Sequence, residues 1–207
     1  MKQLIAGFGL LLLANGWAYG SEPLKAVQLY SQDELINLIN KNQHLARVKA
    51  DDCQLVQDIE ARADTLKIPA YQFLWGDMLA WGVCVEKEPE RGIEYMQMAA
   101  DQGLAAALEQ LGRYYANGIL VQKDPRRGLI FLREASALGN QNAQIQMAEL
   151  LINGLGNPMD YEDVYHWLYN SVTADQVTHR KIANCLAKLE TLMHPKAVRA
   201  AKRPLDS

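Results

Sequence analysis

The 207-residue chain sets 21 lysines and arginines against 24 aspartates and glutamates, a net charge of −3, and 49% of its residues are hydrophobic. Such a balance argues against nucleic acid as a partner, which needs a concentrated basic face. The length suits one domain with a real core. The first twenty residues, MKQLIAGFGLLLLANGWAYG, join one lysine to an apolar run from Leu4 to Leu13 and a small-residue exit at Ala18 and Gly20. That is the pattern of a secretory signal peptide, with cleavage expected after Gly20. Its apolar core is shorter than the roughly 20 residues that span a bilayer. Export would leave the three cysteines, Cys53, Cys84 and Cys185, where disulfides persist. Their odd count leaves at least one thiol unpaired within the chain.

Residues 21–69 form a helical leader. Ser31 with Glu34 three residues on makes a capping box, and Tyr30 and Leu35 stand at staple positions, so a helix of about ten residues opens there. A second amphipathic helix is expected from about 51 to 66, with Val56, Ile59, Ala63 and Leu66 on one face. The acidic pairs Asp51-Asp52 and Glu162-Asp163 are expected in opening turns of helices, where the dipole favours carboxylates.

A shift of 36 residues then aligns Gly76 with Gly112, Gly82 with Gly118, Pro89 with Pro125, Gly92 with Gly128 and Gly103 with Gly139. A third, weaker copy places Ala148, Gly154, Asp160 and Trp167 at the same spacing. The periodicity predicts an all-α fold, a short solenoid of helix pairs at 70–105, 106–141 and 142–177. In the second copy helix A runs over about 107–117 and stops at Gly118. Helix B restarts on Asp124-Pro125, a capping carboxylate followed by a proline at the first turn. Glu88-Pro89 and Asp160 are expected in the same role. Glycine inside a helix costs about 1 kcal/mol relative to alanine, so Gly76 and Gly112 imply close helix approach, with Gly92 and Gly128 as the facing contacts. Tyr95, Phe131 and Trp167 are expected as an aromatic core column beside them.

A capping segment, 178–207, closes the stack. Its helix is expected over about 178–193 with Ile182, Cys185, Leu186 and Leu189 inward, ended by Pro195. Lys196, Arg199, Lys202 and Arg203 follow as a basic tail, read as a solvated, frayed end. Each element of a solenoid touches only its neighbours, which favours a Cys53 to Cys84 bridge with Cys185 a buried free thiol.

The second copy reads A-x3-L-G-x2-Y-x2-G at Ala107, Leu111, Gly112, Tyr115 and Gly118, then Lys123-Asp124-Pro125, with a helix ending at Gly139. On these residues the chain resembles the Sel1-like repeat family, a relative of the tetratricopeptide repeats. The whole layout, including LYSQDELINLI and ADDCQLVQDIEARA in the leader, resembles a family of periplasmic components of the sodium-driven polar flagellar motor. That resemblance implies a non-catalytic adaptor in the T ring of the basal body, with MotY and the PomA/PomB stator as partners. It implies no cofactor. The alternative is an exported Sel1-repeat hydrolase or binder acting on cell-wall or β-lactam substrates.

No serine has a lysine three residues on, as serine catalysis of that kind would want. His44, His166, His179 and His194 share no metal-ligand spacing, and neither a catalytic residue nor a metal ligand is assigned. In tetratricopeptide-like stacks the concave side is lined by helix A residues that point away from the core. Matching positions are Phe73, Asp77 and Trp81 in the first copy and Glu109, Arg113 and Asn117 in the second. The third offers Ile145, Glu149 and Asn153. Phe73, Asp77, Trp81, Arg113, Asn117 and Glu149 are the candidate partner-binding residues, unless the leader folds back and buries the first row.

Overall fold

Proline opens several of the helices and glycine closes two of them, so the repeat punctuation read from the sequence fixes the element boundaries. The computed structural model describes residues 29–204; the expected signal peptide at 1–20 lies outside them. The leader holds three helices, α1 (Gln32–Asn40), α2 (His44–Ala50) and α3 (Val56–Asp64). Three helix pairs follow: α4 (Pro69–Trp81) with α5 (Pro89–Asp101), α6 (Ala105–Asn117) with α7 (Pro125–Ala137), and α8 (Gln141–Ile152) with α9 (Tyr161–Tyr169). Two capping helices end the described chain, α10 (Gln176–Leu192) and α11 (Pro195–Ala201). All are helical; the described residues contain no strand.

Gly82 and Gly118 end α4 and α6 in the left-handed conformation, with φ of 68° and 76°. A side chain would be strained there. The following loops copy one another as well. Cys84 and Leu120, 36 residues apart, both have positive φ, 62° and 59°. Glu88 N–H donates to the Leu79 carbonyl as Asp124 N–H donates to that of Tyr115, each at 2.8 Å. Asp124 also caps α7 through its side chain, accepting from Arg127 N–H. The other two copies differ from expectation. The Glu88 carboxylate makes no capping bond and pairs with Arg91 at 3.4 Å. Asp160 is buried and drawn to Arg133 at 3.0 Å. Asn157 caps the 3-10 turn Pro158–Asp160 that precedes α9.

The intrahelical glycines have the packing reason expected. A Cβ on Gly76 would lie 2.6 Å from the Gly92 carbonyl oxygen, and one on Gly92 would lie 2.5 Å from that of Gly76. Gly128 faces the Gly112 carbonyl at 2.7 Å in the same way. The backbones of α4 and α5, and of α6 and α7, therefore cross in direct contact. The aromatic column is less uniform than expected: Tyr95 is buried, whereas Phe131 and Trp167 are half-buried. Phe131 stacks on Tyr115 with ring centroids 5.7 Å apart, and Arg127 lies over Tyr115 at 4.2 Å.

Leader and cap both correct the sequence reading. The expected long helix over 51–66 is broken: α2 ends at Ala50, and Asp52 and Cys53 take positive φ before α3 begins. Leu66 is exposed. Asp51 closes α2 rather than opening a helix, pairing with Arg47 at 2.8 Å and accepting from the Tyr30 hydroxyl at 2.7 Å. Glu162 and Asp163 do sit in the first turn of α9. At the other end Pro195 opens α11 instead of ending the fold. Helix α11 docks on α9, with Ala201 buried and its carbonyl accepting from His166 Nδ1 at 3.0 Å. Lys202 pairs with Glu190 at 3.0 Å and Arg203 with Glu162 at 3.5 Å, so the basic tail is folded, not frayed.

Cys53 and Cys84 form a disulfide and Cys185 is free and buried. The bridge ties the leader to the first repeat across 31 residues of sequence. A loop of that length gives about 3–4 kcal/mol of stabilisation through the unfolded state. Burial pushes the Cys185 thiol above its ordinary range, which keeps it in the unreactive protonated form.

Candidate functional site

The leader folds back over the concave side of the first repeat. Helix α1 reaches across to α6, and α2 and α3 pack on α4. With α5 packed on its other side, eleven residues of α4 in a row, Ala70 to Ala80, are buried. Phe73 and Asp77 are each about 1% exposed and present no surface to a partner. The alternative set beside the free-surface reading, that the leader folds back and buries the first row, holds for Phe73 and Asp77, whereas Trp81 stays 44% exposed. The leader's apolar face had to be covered, and Phe73 and Asp77 lie beneath it.

A hydrogen-bonded chain replaces that surface. His44 on α2 donates through Nε2 to Asp77 Oδ2 at 2.6 Å, and its ring sits edge-on to Phe73 at 5.4 Å. Asp77 Oδ1 accepts from Gln110 Nε2 and the Tyr114 hydroxyl, each at 3.4 Å, and Gln110 Nε2 lies 2.6 Å from Tyr114 Oη. Trp81 Nε1 donates to that same hydroxyl at 3.0 Å. Gln110 accepts from Arg113, whose guanidinium lies 3.4 Å from Glu109, and Glu109 accepts from Gln146 on α8. One polar chain thus runs from the leader through all three A helices. Burial first, and then the Asp77 charge, pushes the Tyr114 phenol far above its ordinary value, so it stays a neutral donor. The sequence reading missed His44, because its partner lies 33 positions away and no local motif marks it.

Above this chain lies a groove of about 320 Å³. Its floor is α6 and α8, with Glu109, Arg113, Ile145 and Glu149 along it. Asn40 and Asn42 of the leader form one wall, and Thr178 and Lys181 of α10 form another. Of the six expected contact residues, Arg113 and Glu149 line this groove, and Phe73 touches it from below. Trp81 is 44% exposed at the end of α4, and Asn117 is exposed at the end of α6; both lie outside the groove. Among the described residues no cluster of three histidine, cysteine, aspartate or glutamate side chains could hold a metal ion.

Comparison with known proteins fits this architecture. The Sel1 repeat family matches residues 69–104 and 105–140. The third pair folds as a helix pair although its sequence has drifted from the motif. Over 206 residues the chain is 58% identical to "Sodium-type polar flagellar protein MotX" of Vibrio parahaemolyticus serotype O3:K6 (strain RIMD 2210633), covering 98% of each protein. The chain belongs to the MotX family. Among solved structures, a Sel1 repeat protein from Oxalobacter formigenes superposes with a TM-score of 0.53 at 25% identity, covering 70% of this chain and 55% of that one. The c5321 protective antigen of uropathogenic Escherichia coli gives 0.53 at 20% identity over 83% of this chain and 36% of its own, a likeness of fold alone. The chain thus spans about half and a third of the lengths of these two solved proteins. Its full-length match to the MotX relative carries the family assignment.

Proposed function

We propose that this chain is a non-catalytic periplasmic adaptor of the sodium-driven polar flagellar motor, held with MotY in the T ring and supporting assembly of the PomA/PomB stator. The observation that carries the reading is the 58% identity over 98% of both chains to a polar flagellar protein. The signal-peptide pattern at 1–20 supports the compartment, and a disulfide between Cys53 and Cys84 suits an oxidising one. No helix of the described residues is long and apolar enough to cross a membrane, so any link to the membrane-borne stator runs through protein contact.

The exposed face that such an adaptor offers is the concave side, with Arg113 and Glu149 in the groove and Trp81 and Asn117 at its margin. Phe73 and Asp77 act beneath it, holding the leader in place. The hydrolase alternative draws no support from the one histidine–carboxylate pair among the described residues. Both His44 and Asp77 have side chains only 2% exposed, beneath the groove floor rather than facing a substrate.

Affinity capture from a periplasmic extract, with the oxidised protein as bait, tests the reading. Recovery of MotY together with stator subunits is the expected result. Recovery of neither, or turnover of a muropeptide by the purified protein, would overturn it.

A further inference from the structure

We infer that a second cavity, where α7 and α9 end, binds an alkylammonium group, the cation carried by a lysine side chain and by free polyamines. The cavity measures about 450 Å³ and shares no lining residue with the groove. Its polar side chains turn their donors to backbone carbonyls. Gln144 Nε2 donates to the Ser136 carbonyl at 3.1 Å, and the Ser136 hydroxyl donates to that of Leu132 at 2.6 Å. Asn170 Nδ2 donates to the carbonyls of His166 and Arg203 at 2.9 and 3.1 Å, and the Ser171 hydroxyl to that of Leu168 at 2.8 Å. Gln141 Nε2 reaches the Val172 carbonyl at 3.4 Å. These bonds fix which way each amide points. Gln141 Oε1, Gln144 Oε1 and Asn170 Oδ1 are left with no partner among the described residues. Gln144 is 6% exposed, so the cavity is the open space in which its oxygen can find one.

The surrounding field has the matching sign. Ser136 and Ala137 belong to the last turn of α7, and Asn170 and Ser171 follow the last turn of α9, so two helix carboxyl ends border the cavity. Each such end carries about half a negative charge. The opening turn of α8 also borders it through Gln141, but Asn140 caps that turn, accepting from Ala143 N–H at 3.0 Å. No charged side chain of the described residues lines the cavity, so nothing there repels a cation. Trp167, half-buried, is the aromatic ring of the lining, and an indole attracts a cation to its face. An anion would meet lone pairs on every side. A bare metal ion needs oxygens at about 2.0–2.6 Å, and a space of about 450 Å³ holds them too far apart. A sugar brings an acceptor with every hydroxyl, whereas the Trp167 indole N–H is the one side-chain donor group of the lining left unbonded among the described residues. A guanidinium prefers two acceptors in one plane. Here the oxygens come from separate helices, which suits the three rotatable donors of an ammonium on a flexible stem.

The test titrates the full oxidised protein with butylamine, putrescine and Nα-acetyl-lysine methylamide, and with butanol and N-acetylglucosamine as neutral probes. Backbone amide resonances of Gly139 and Ser171, both in the lining, report binding. The amines should shift them saturably, with butanol at least about tenfold weaker than butylamine. Trp167→Leu should weaken amine binding about fivefold. Ala137 is exposed at the rim, so charge can be placed there without disturbing the core. Ala137→Glu should tighten amine binding about threefold and Ala137→Lys weaken it by a similar factor, with butanol unaffected by either. If Trp167→Leu fails to fold, the two variants at position 137 decide the matter. Tighter binding of the lysine derivative than of putrescine would support the inference with a protein side chain as the source of the cation, and the reverse would support it with a free polyamine. Equal binding of butanol and butylamine, or indifference of the amines to charge at position 137, would overturn it. So would saturable binding of N-acetylglucosamine at the same resonances without binding of the amines, which would make the cavity a sugar site.

Discussion

Gly92 shows how a single residue governs the approach of two helices. Its absent Cβ lets the α4 backbone come within contact, and an added methyl would lie 2.5 Å from the Gly76 carbonyl and 2.7 Å from the Ala80 nitrogen. Both are backbone atoms, which cannot rotate away. Alanine gains about 1 kcal/mol of helix propensity, but forcing the helices apart costs about 1–3 kcal/mol or more. The overlap wins, because it is shared between two backbones. Gly92→Ala is expected to lower stability by about 2 kcal/mol, a drop in Tm of about 4–8 °C for a domain of this size. Gly112→Ala should cost less, since its nearest backbone neighbour, the Gly128 carbonyl oxygen, lies at 3.1 Å rather than 2.5 Å, and the closer contact is to the Leu132 side chain. Thermal denaturation of the two variants checks both the sign and the order; an equal or raised Tm for Gly92→Ala would contradict the close crossing. These glycines were legible in the sequence because their recurrence at a fixed spacing had no other physical reason. His44 was not, since its role depends on Asp77 in another helix.

Helix α11 is the element that sequence reasoning missed, and its hold on the fold is electrostatic as well as apolar. Pro195 was read as a stop, although a proline is equally suited to the first turn of a new helix. The lysines and arginines after it resembled a tail because their partners, Glu162 and Glu190, lie in other helices. Glu190 accepts from the Tyr165 hydroxyl at 2.5 Å and pairs with Lys202, and these contacts, Tyr165 first, hold its carboxyl below its ordinary value of 4.5. The same pair, Glu190 first, raises Lys202 above 10.5. A depressed carboxylate contributes stability that is present above its unfolded value and lost as pH falls through the lower folded one. A raised lysine contributes below 10.5 and loses its contribution as pH rises through its folded value. Protection of the α11 amides, taken relative to their intrinsic exchange rates, should therefore be greatest between these limits and fall as pH drops below 4.5, before the repeats respond. Protection of α11 that persists until the whole fold unfolds would contradict this. The leader failed for a related reason. Its apolar periodicity predicted a helix correctly, but the break at Asp52 and Cys53, where the bridge to Cys84 attaches, leaves no mark on the periodicity.

At the scale of the whole molecule, the A helices of the repeats form the floor of a groove that the flanking helices wall on two sides. The leader is fixed there by the Cys53–Cys84 bridge and the His44–Asp77 pair, and α10 closes the opposite side. The solenoid, its helix pairs and the cysteine pairing could be read from one chain, since each follows from local spacing or from neighbour order. Which concave residues stay accessible could not, because that depends on how the leader packs. Site-specific photo-crosslinking in motile cells tests the central claim most directly, comparing a photoreactive residue at Glu149, exposed in the groove, with one at Ile130, 68% exposed on α7 away from it. The account predicts crosslinks to a motor protein from position 149 and none from position 130. Crosslinks from 130 alone would contradict the concave face as the docking surface.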